Sequence, residues 1–391
     1  MDLEDLGEVE EPEDVHRQRM PWRLEVEIGP APAPEALEAE WRALLARSNA
    51  SFFLSWPWIG TWLERTRVPV RLARIAREGE TVGLALLGVG GPRLGPFAPR
   101  TYHLHATGDP EADRIAIEYN DVLAVRGHEG AVRVTLLERL LSGPRRDRAR
   151  AVLLPMVDPV VEAAAMAAGL RTRRRAERRC AIVDLEAIRL WGDGYLARLS
   201  AGTRAQMRRA ARLYGERGPL RIEAATDPAE AAAWLEPLAT LHEARFRAKK
   251  GHGAFAVPGF LDFHRDLLAR AWPEGTVEVL RVRAGEAVIG YLYNFLWRGW
   301  VGYYTSGFVY EDDNRLKPGL VAHWLAIERH LSSGARIYDF MAGESRYKAS
   351  LAEPGPVLVD LVVEADDLFA RLAAGVRRLR DRFRGRADGS P

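Results

Sequence analysis

Apolar and polar positions alternate through Thr276–Arg283, Ala287–Trp297 and Trp300–Phe308, which predicts three strands, the first two joined across Ala284-Gly285-Glu286. A glycine-bearing loop follows, then a helix over Gly319–Ser332 and a strand over Arg336–Met341. Upstream, the helical period covers Gly194–Arg217, Pro228–Lys249 and Pro258–Ala271, with a strand at Leu220–Ala225. The middle helix carries its apolar stripe at Ala232, Leu235, Leu238, Leu241 and Phe246. Val357–Val363 reads as a last strand and Leu368–Phe383 as a closing helix.

The first half follows a similar plan. A strand near Arg23–Ile28 leads to helices Pro34–Arg47 and Trp56–Arg65, then to the hairpin Val70–Arg77 and Thr81–Gly88 around Gly79. The run Tyr119–Val125 reads as a strand, Glu129–Leu141 as a helix, Val152–Leu154 as a strand, Pro159–Ala168 as a helix and Ala181–Asp184 as a strand. The order of elements therefore repeats, predicting an α+β fold duplicated in tandem, with mixed, mostly antiparallel sheets flanked by helices. The expected organisation is an acidic disordered tail at 1–21, domains at 22–190 and 191–370, and a basic helix or tail at 371–391.

At 391 residues, 47% hydrophobic and 28% charged, the chain has the composition of a globular protein, and a net charge of +2 selects no class of partner. One cysteine, Cys180, excludes an intramolecular disulfide framework and a multi-cysteine metal site, and its apolar neighbours predict a buried structural thiol. His103 and His105 lack a third metal ligand. No stretch approaches the roughly 18 apolar residues of a membrane span. The acidic start lacks a signal pattern, so the expected compartment is the cytoplasm. Only four of the 56 basic residues are lysines: Lys249, Lys250, Lys317 and Lys348. In so arginine-biased a chain each lysine calls for inspection, because Lys loses its proton more readily than Arg.

The loop Asn314-Arg315-Leu316-Lys317-Pro318-Gly319 precedes a helix whose free amides and macrodipole favour an anion such as a diphosphate. Arg315 and Lys317 add charge, and Gly319 permits close approach. In the strand before it, Gly302 and Gly307 suggest a bulge or splayed edge whose amides at Thr305, Ser306 and Gly307 could hold an acyl carbonyl. Tyr303 and Tyr304 point to opposite faces, so only one can face a donor, where Tyr304 could protonate a leaving group. Asp339 reads equally as a structural acceptor and as a general base, and Lys348 could polarise a carbonyl or bind phosphate. His242, on the long helix, is a candidate proton acceptor, with His252 a weaker one. There is no Gly-x-Ser-x-Gly elbow and no dinucleotide fingerprint. The arginines at 171–179, with Arg204, Arg208, Arg209 and Arg212, read as a solvated face that could also meet RNA.

Three segments carry a family resemblance: Ser51-Phe52-Phe53-Leu54-Ser55-Trp56-Pro57-Trp58; Ser200–Arg212 with Leu241–Phe246; and Tyr338-Asp339-Phe340 through Gly343 to Tyr347-Lys348. From about Trp22 to Leu368 the chain resembles GNAT acyltransferases of the CelD-like and Fem-like group, which carry two GNAT folds in tandem. The resemblance implies acyl transfer to an amine, with acetyl-coenzyme A or another acyl-coenzyme A as donor, or aminoacyl-tRNA as in the Fem ligases. It also implies a role in polysaccharide or cell-envelope synthesis. The stretch Arg315–Gly319 departs from the usual Gln/Arg-x-x-Gly-x-Gly/Ala phosphate loop in spacing and lacks its second glycine. The expected mechanism is direct attack without a covalent enzyme intermediate. In it, Tyr304–Gly307 orient the acyl carbonyl, Asn314–Gly319 bind donor phosphates, Lys348 and Asp339 line the reacting end, and His242 serves as base. A tRNA-dependent ligase and a non-catalytic scaffold are the alternatives.

Overall fold

The computed structural model describes residues 24–90, 100–115, 117–248, 251–343 and 345–364. The expected acidic tail, the helix Leu368–Phe383, Lys249 and Lys250 lie outside them. The first half runs β1 (Leu24–Pro30), α1 (Pro34–Ala46), α2 (Trp56–Arg65), β2 (Val70–Arg77), β3 (Glu80–Gly90), β4 (Thr101–Leu104) and β5 (Leu123–Ala124). It ends with α3 (Glu129–Ser142), β6 (Ala151–Val157), α4 (Pro159–Ala167) and β7 (Arg171–Asp184). Two connecting helices follow, α5 (Leu185–Trp191) and α6 (Ala201–Gly215). The second half runs β8 (Leu220–Ala224), α7 (Pro228–Ala248), α8 (Phe260–Ala271), β9 (Val277–Ala284), β10 (Ala287–Trp297) and β11 (Trp300–Phe308). It closes with α9 (Pro318–Ser332), β12 (Ile337–Asp339), α10 (Arg346–Leu351) and β13 (Glu353–Glu364).

Local chemistry fixes the ends of these elements. Proline opens α1 and α4, where a missing N–H costs nothing, and the Asp158 carboxylate caps α4 by accepting from the Val160 N–H. Glu78–Gly79 and Arg298–Gly299 take φ of 52° and 84°, and of 50° and 82°, the backbone twist that closes tight hairpins.

The strands form one sheet in the order β1-β2-β3-β4-β6-β13-β7-β12-β11-β10-β9-β8, with β5 on a side branch against β3. That order is symmetric. β1, β2, β3, β4 and β6 hold the places on one side that β8, β9, β10, β11 and β12 hold on the other, and the parallel pairs β4–β6 and β11–β12 correspond. Each half is completed by the other's last strand: β13 pairs with β6, β7 pairs with β12, and β7 and β13 pair with each other at the centre. The duplicated α+β architecture expected from the element order is thus present, joined by strand exchange.

A shared apolar core locks the halves together. Phe52 stacks on Phe295 at 4.3 Å, Phe53 meets Trp58 at 4.7 Å, and Trp58 meets Phe263 at 5.1 Å between ring centroids. All of these rings are buried. The Trp297 indole N–H donates to the Ala50 carbonyl at 2.8 Å, and Arg298 donates to the carbonyls of Ser48 and Leu45. Ser51–Trp58, one of the resembling segments, is therefore a wedge between halves. Several elements differ from expectation. Tyr119–Val125 keeps only Leu123–Ala124 as strand, because Tyr119 takes a left-handed φ of 47°. The arginines at 171–179 form the first part of β7, hydrogen-bonded to β13, so backbone pairing and not apolar alternation defines that strand.

Candidate active site

The two halves differ where β11 and its counterpart reach the sheet centre. β11 pairs with β10 throughout, with Tyr304 as an extra residue between Tyr303 opposite Asn294 and Thr305 opposite Tyr293. Such a bulge leaves one residue outside the ladder and re-aims the strand. β11 meets β12 only from Trp300 to Gly302, so the segment Tyr303–Phe308 is splayed from it. In the first half the matching strand is interrupted. β4 follows β3 as far as Leu104, the chain leaves at His105 with φ 46°, and it rejoins β3 only as β5.

The excursion 105–122 is pinned at its base. Asp113 accepts from the Thr107 N–H and hydroxyl and from the Gly108 N–H. The Asn120 amide donates to the Leu104 carbonyl, its backbone N–H donates to the Met156 carbonyl, and its Oδ1 lies 2.9 Å from His105 Nδ1. Because that Oδ1 can only accept, His105 carries its proton on Nδ1. Its buried Nε2 has no hydrogen-bond partner among the described residues.

This excursion carries Glu118 and Tyr119 onto the second half. Glu118 Oε2 accepts from the Ala342 N–H at 3.0 Å. The Tyr119 hydroxyl donates to Asp339 Oδ2, which also accepts from the Trp300 indole at 2.9 Å, while Asp339 Oδ1 accepts from the Met341 N–H at 2.7 Å. Tyr119 and Met341 both hold left-handed φ, 47° and 59°, a strain that persists only where surrounding bonds over-determine it. Asp339 supplies those bonds. Lys348 Nζ donates to the carbonyls of Met341 and Ala342 at 3.1 and 3.0 Å, closing the same turn.

Burial sets the electrostatics. It pushes the Glu118 carboxyl up to about 7, against the Ala342 N–H and the Lys348 charge, which pull it down. The Lys348 ammonium is lowered by burial, with Glu118 opposing. Asp339 is raised by burial, opposed by bonds from Tyr119, Trp300 and Met341. The Cys180 thiol is pushed up to about 12 by burial, which leaves it unreactive. A cleft of about 490 Å³ opens beside this cluster, lined by Glu118, Ala342, Gly343, His105, Met156 and Arg178 among others. A larger cavity of about 640 Å³ takes Arg346, Ala349 and Ser350 from α10 but none of the cluster's polar groups.

The family described as an acetyltransferase (GNAT) domain matches residues 201–349. Residues 201–349 therefore carry a GNAT acetyltransferase domain. Among solved structures, FemX aligns with TM-score 0.53 at 11% identity over 86% of this chain and 96% of its own. L-PGS from Bacillus licheniformis aligns with TM-score 0.52 at 13% identity, covering 90% and 98%. Likeness at such identity establishes the shared fold. No curated protein matches the sequence.

In and around this GNAT domain the residues expected from sequence fall into three groups. Asp339 and Lys348 share the Met341–Gly343 turn, while the bulged Tyr304 packs its ring on His264 and Phe295 at 4.8 Å. His242 lies elsewhere, with Thr305 and Ser306. Its Nδ1 donates to the Ser306 carbonyl at 3.1 Å, and its buried Nε2 has no partner among the described residues. Gly307 lets α7 approach β11, since a Cβ there would stand 2.3 Å from the Leu238 carbonyl oxygen. The third group is the start of α9. The helix begins at Pro318 with no side-chain cap, Arg315 is forked onto Asp313, and the Tyr347 hydroxyl donates to the Gly319 carbonyl at 3.1 Å. Asn314 and Lys317 flank this turn.

Glu118 escaped the sequence reading, and His105 entered it only as a metal ligand that was set aside for want of a third. Glu118-Tyr119-Asn120-Asp121 crowds three polar residues into four positions, a pattern unlike a half-buried strand and the signal that could have pointed to Glu118. Among the described residues no cluster of His, Cys, Asp and Glu could hold a metal, and no helix is long and apolar enough to cross a membrane.

Proposed function

We propose that the protein transfers an acyl group from an acyl-coenzyme A to a primary amine, belonging to a small molecule or a cell-envelope or polysaccharide precursor, by direct attack. One observation carries this reading: the Glu118 carboxylate crosses from the first half to the Ala342 N–H beside Lys348, at the edge of a cleft. In the proposed step the donor lies along the splayed part of β11. The bulge at Tyr304 and the amides of Thr305–Gly307 orient its carbonyl, while Asn314, Arg315, Lys317 and Gly319 face its phosphates. The amine nitrogen bonds to the acyl carbon, the C–S bond breaks, and its electron pair leaves on sulfur. Glu118 takes the proton that the nitrogen sheds, and Lys348 stabilises the charge that develops on oxygen. Asp339 is a positioning residue that fixes Tyr119 and the Met341 turn. His242, tied to Ser306 and packed on Phe246 at 4.7 Å, supports the donor strand and stands apart from the proton path.

Calorimetric titration with acetyl-coenzyme A tests the donor. Saturable binding is expected, and its absence would remove the coenzyme A reading. An aminoacyl ester carried on tRNA is the second reading, favoured by the crowding at α9, where Arg315 is spent on Asp313 and a Gly319 Cβ would meet Tyr347 and Phe308 at 3.0 and 3.2 Å. Salt-sensitive binding of charged tRNA without acetyl-coenzyme A binding would select it.

A further inference from the structure

Part of the Glu118 cleft is shaped by two irregularities that meet at one residue of β13, Asp360. Along β7, Asp360 is opposite Ala176 but Leu361 is opposite Arg174, so Arg175 is an extra, bulged residue. Along β6, Val359 is opposite Val157 and Leu361 opposite Leu154, a second bulge in which Met156 takes φ 54°. Asp360 holds both together, accepting from the Met156 N–H at 3.0 Å and from Arg178 at 2.8 Å.

The bulge has a directional consequence. Residues three apart on an unbroken strand face opposite sides, yet Arg175 and Arg178 both line the cleft. The two arginines are not equivalent. Arg178 is paired with Asp360, whereas Arg175 is exposed and has no carboxylate partner among the described residues. Asp113, another acid of the lining, accepts from Thr107 and Gly108 and forms no ion pair with Arg175. Arg175 therefore stands on the cleft with no ion-pair partner among the described residues, and its field reaches His103 on the same wall, where that of Asp113 opposes it. The same cleft is lined by Glu118 and by His105, whose Nε2 has no partner among the described residues, both hydrogen-bond acceptors, and by the apolar Leu153 and Ile117.

We infer that the amine acceptor is itself anionic: its nitrogen lies at Glu118 and His105 while a carboxylate or phosphate at its other end is held by Arg175. This rests on the acyl-transfer reading and names the acceptor class for the same site. No donor is needed to test it. Calorimetry on the full chain compares two matched pairs of amines, hexylamine against aminohexanoate and ethanolamine against phosphoethanolamine. In at least one pair the anionic member binds about tenfold or more tightly than the neutral one. That preference disappears in Arg175→Ala and persists in Arg173→Ala, an exposed arginine of the same strand that lies outside the cleft lining. The pair that discriminates tells carboxylate from phosphate. Equal binding within both pairs, no saturable binding of any probe, or discrimination that survives Arg175→Ala overturns the inference. Failure of the acyl-transfer reading looks different: Arg175-dependent binding would persist while acetyl-coenzyme A neither bound nor acetylated the probes.

Discussion

Glu118→Gln separates what the half-buried carboxylate does for the fold from what it does for the reaction. Burial lifts its pKa from 4.5 to about 7, so the folded state holds the proton more tightly than the unfolded chain across that interval. The associated stability is fully present below pH 4.5, is lost as pH rises to 7, and stays lost above it. At about 1.4 kcal/mol per unit, the ionised group costs the fold up to about 3 kcal/mol above neutrality. Glutamine cannot ionise, yet it keeps an oxygen for the Ala342 N–H. Its gain is smaller than the full figure to the extent that the carboxylate attracts Lys348. Urea denaturation over a pH series should therefore show wild type and variant converging near pH 4.5 and the variant becoming more stable as pH passes 7. In acetyl transfer, wild-type kcat/KM should rise with pH through about 7, and the variant should lose that rise along with roughly 10²–10⁴-fold in rate. A stability difference that ignores pH, or a variant as active as wild type, would refute the assignment of Glu118.

Lys348→Ala should abolish acyl transfer while circular dichroism and thermal melting remain those of a folded protein; unchanged turnover would remove Lys348 from the mechanism. Asp339→Ala strips the acceptor from Tyr119, Trp300 and Met341, and should destabilise the protein by about 3 kcal/mol or more, read from chemical denaturation, because buried donors are left unpaired. Phe53→Ala empties a fully buried site between Trp58 and Phe295 and should cost about 3–5 kcal/mol without altering the pH dependence of turnover.

Much of the fold was legible where local pattern and global need agree. The hairpin β9–β10 and strand β11 announce themselves through alternation and a glycine turn, and the repeat shows in element order. Strand exchange was not legible, because the order of elements along a chain does not say which half a terminal strand will pair with. β7 was half hidden because its arginines satisfy the sheet through backbone groups while their side chains face out. At the site, Lys348 stood out as one of four lysines, and Asp339 as a carboxylate among aromatics. Glu118 did not, since its role depends on an excursion that departs from β4 and returns as β5, and on a partner turn more than 200 residues away. His242 was persuasive by type alone. The geometry gives it the Ser306 carbonyl to hold, on the splayed part of β11.

The exchanged strands also dictate when this protein can become itself. Met156 of β6 and its partner Asp360 of β13 are 204 residues apart, so the first half leaves the ribosome with an unsealed sheet edge. That edge stays open until residues 353–364 arrive, which makes closure a late, long-range event. Once closed, β7 and β13 act as a rivet rather than a hinge. Glu118 and Lys348, made far apart in time, then keep one fixed spacing.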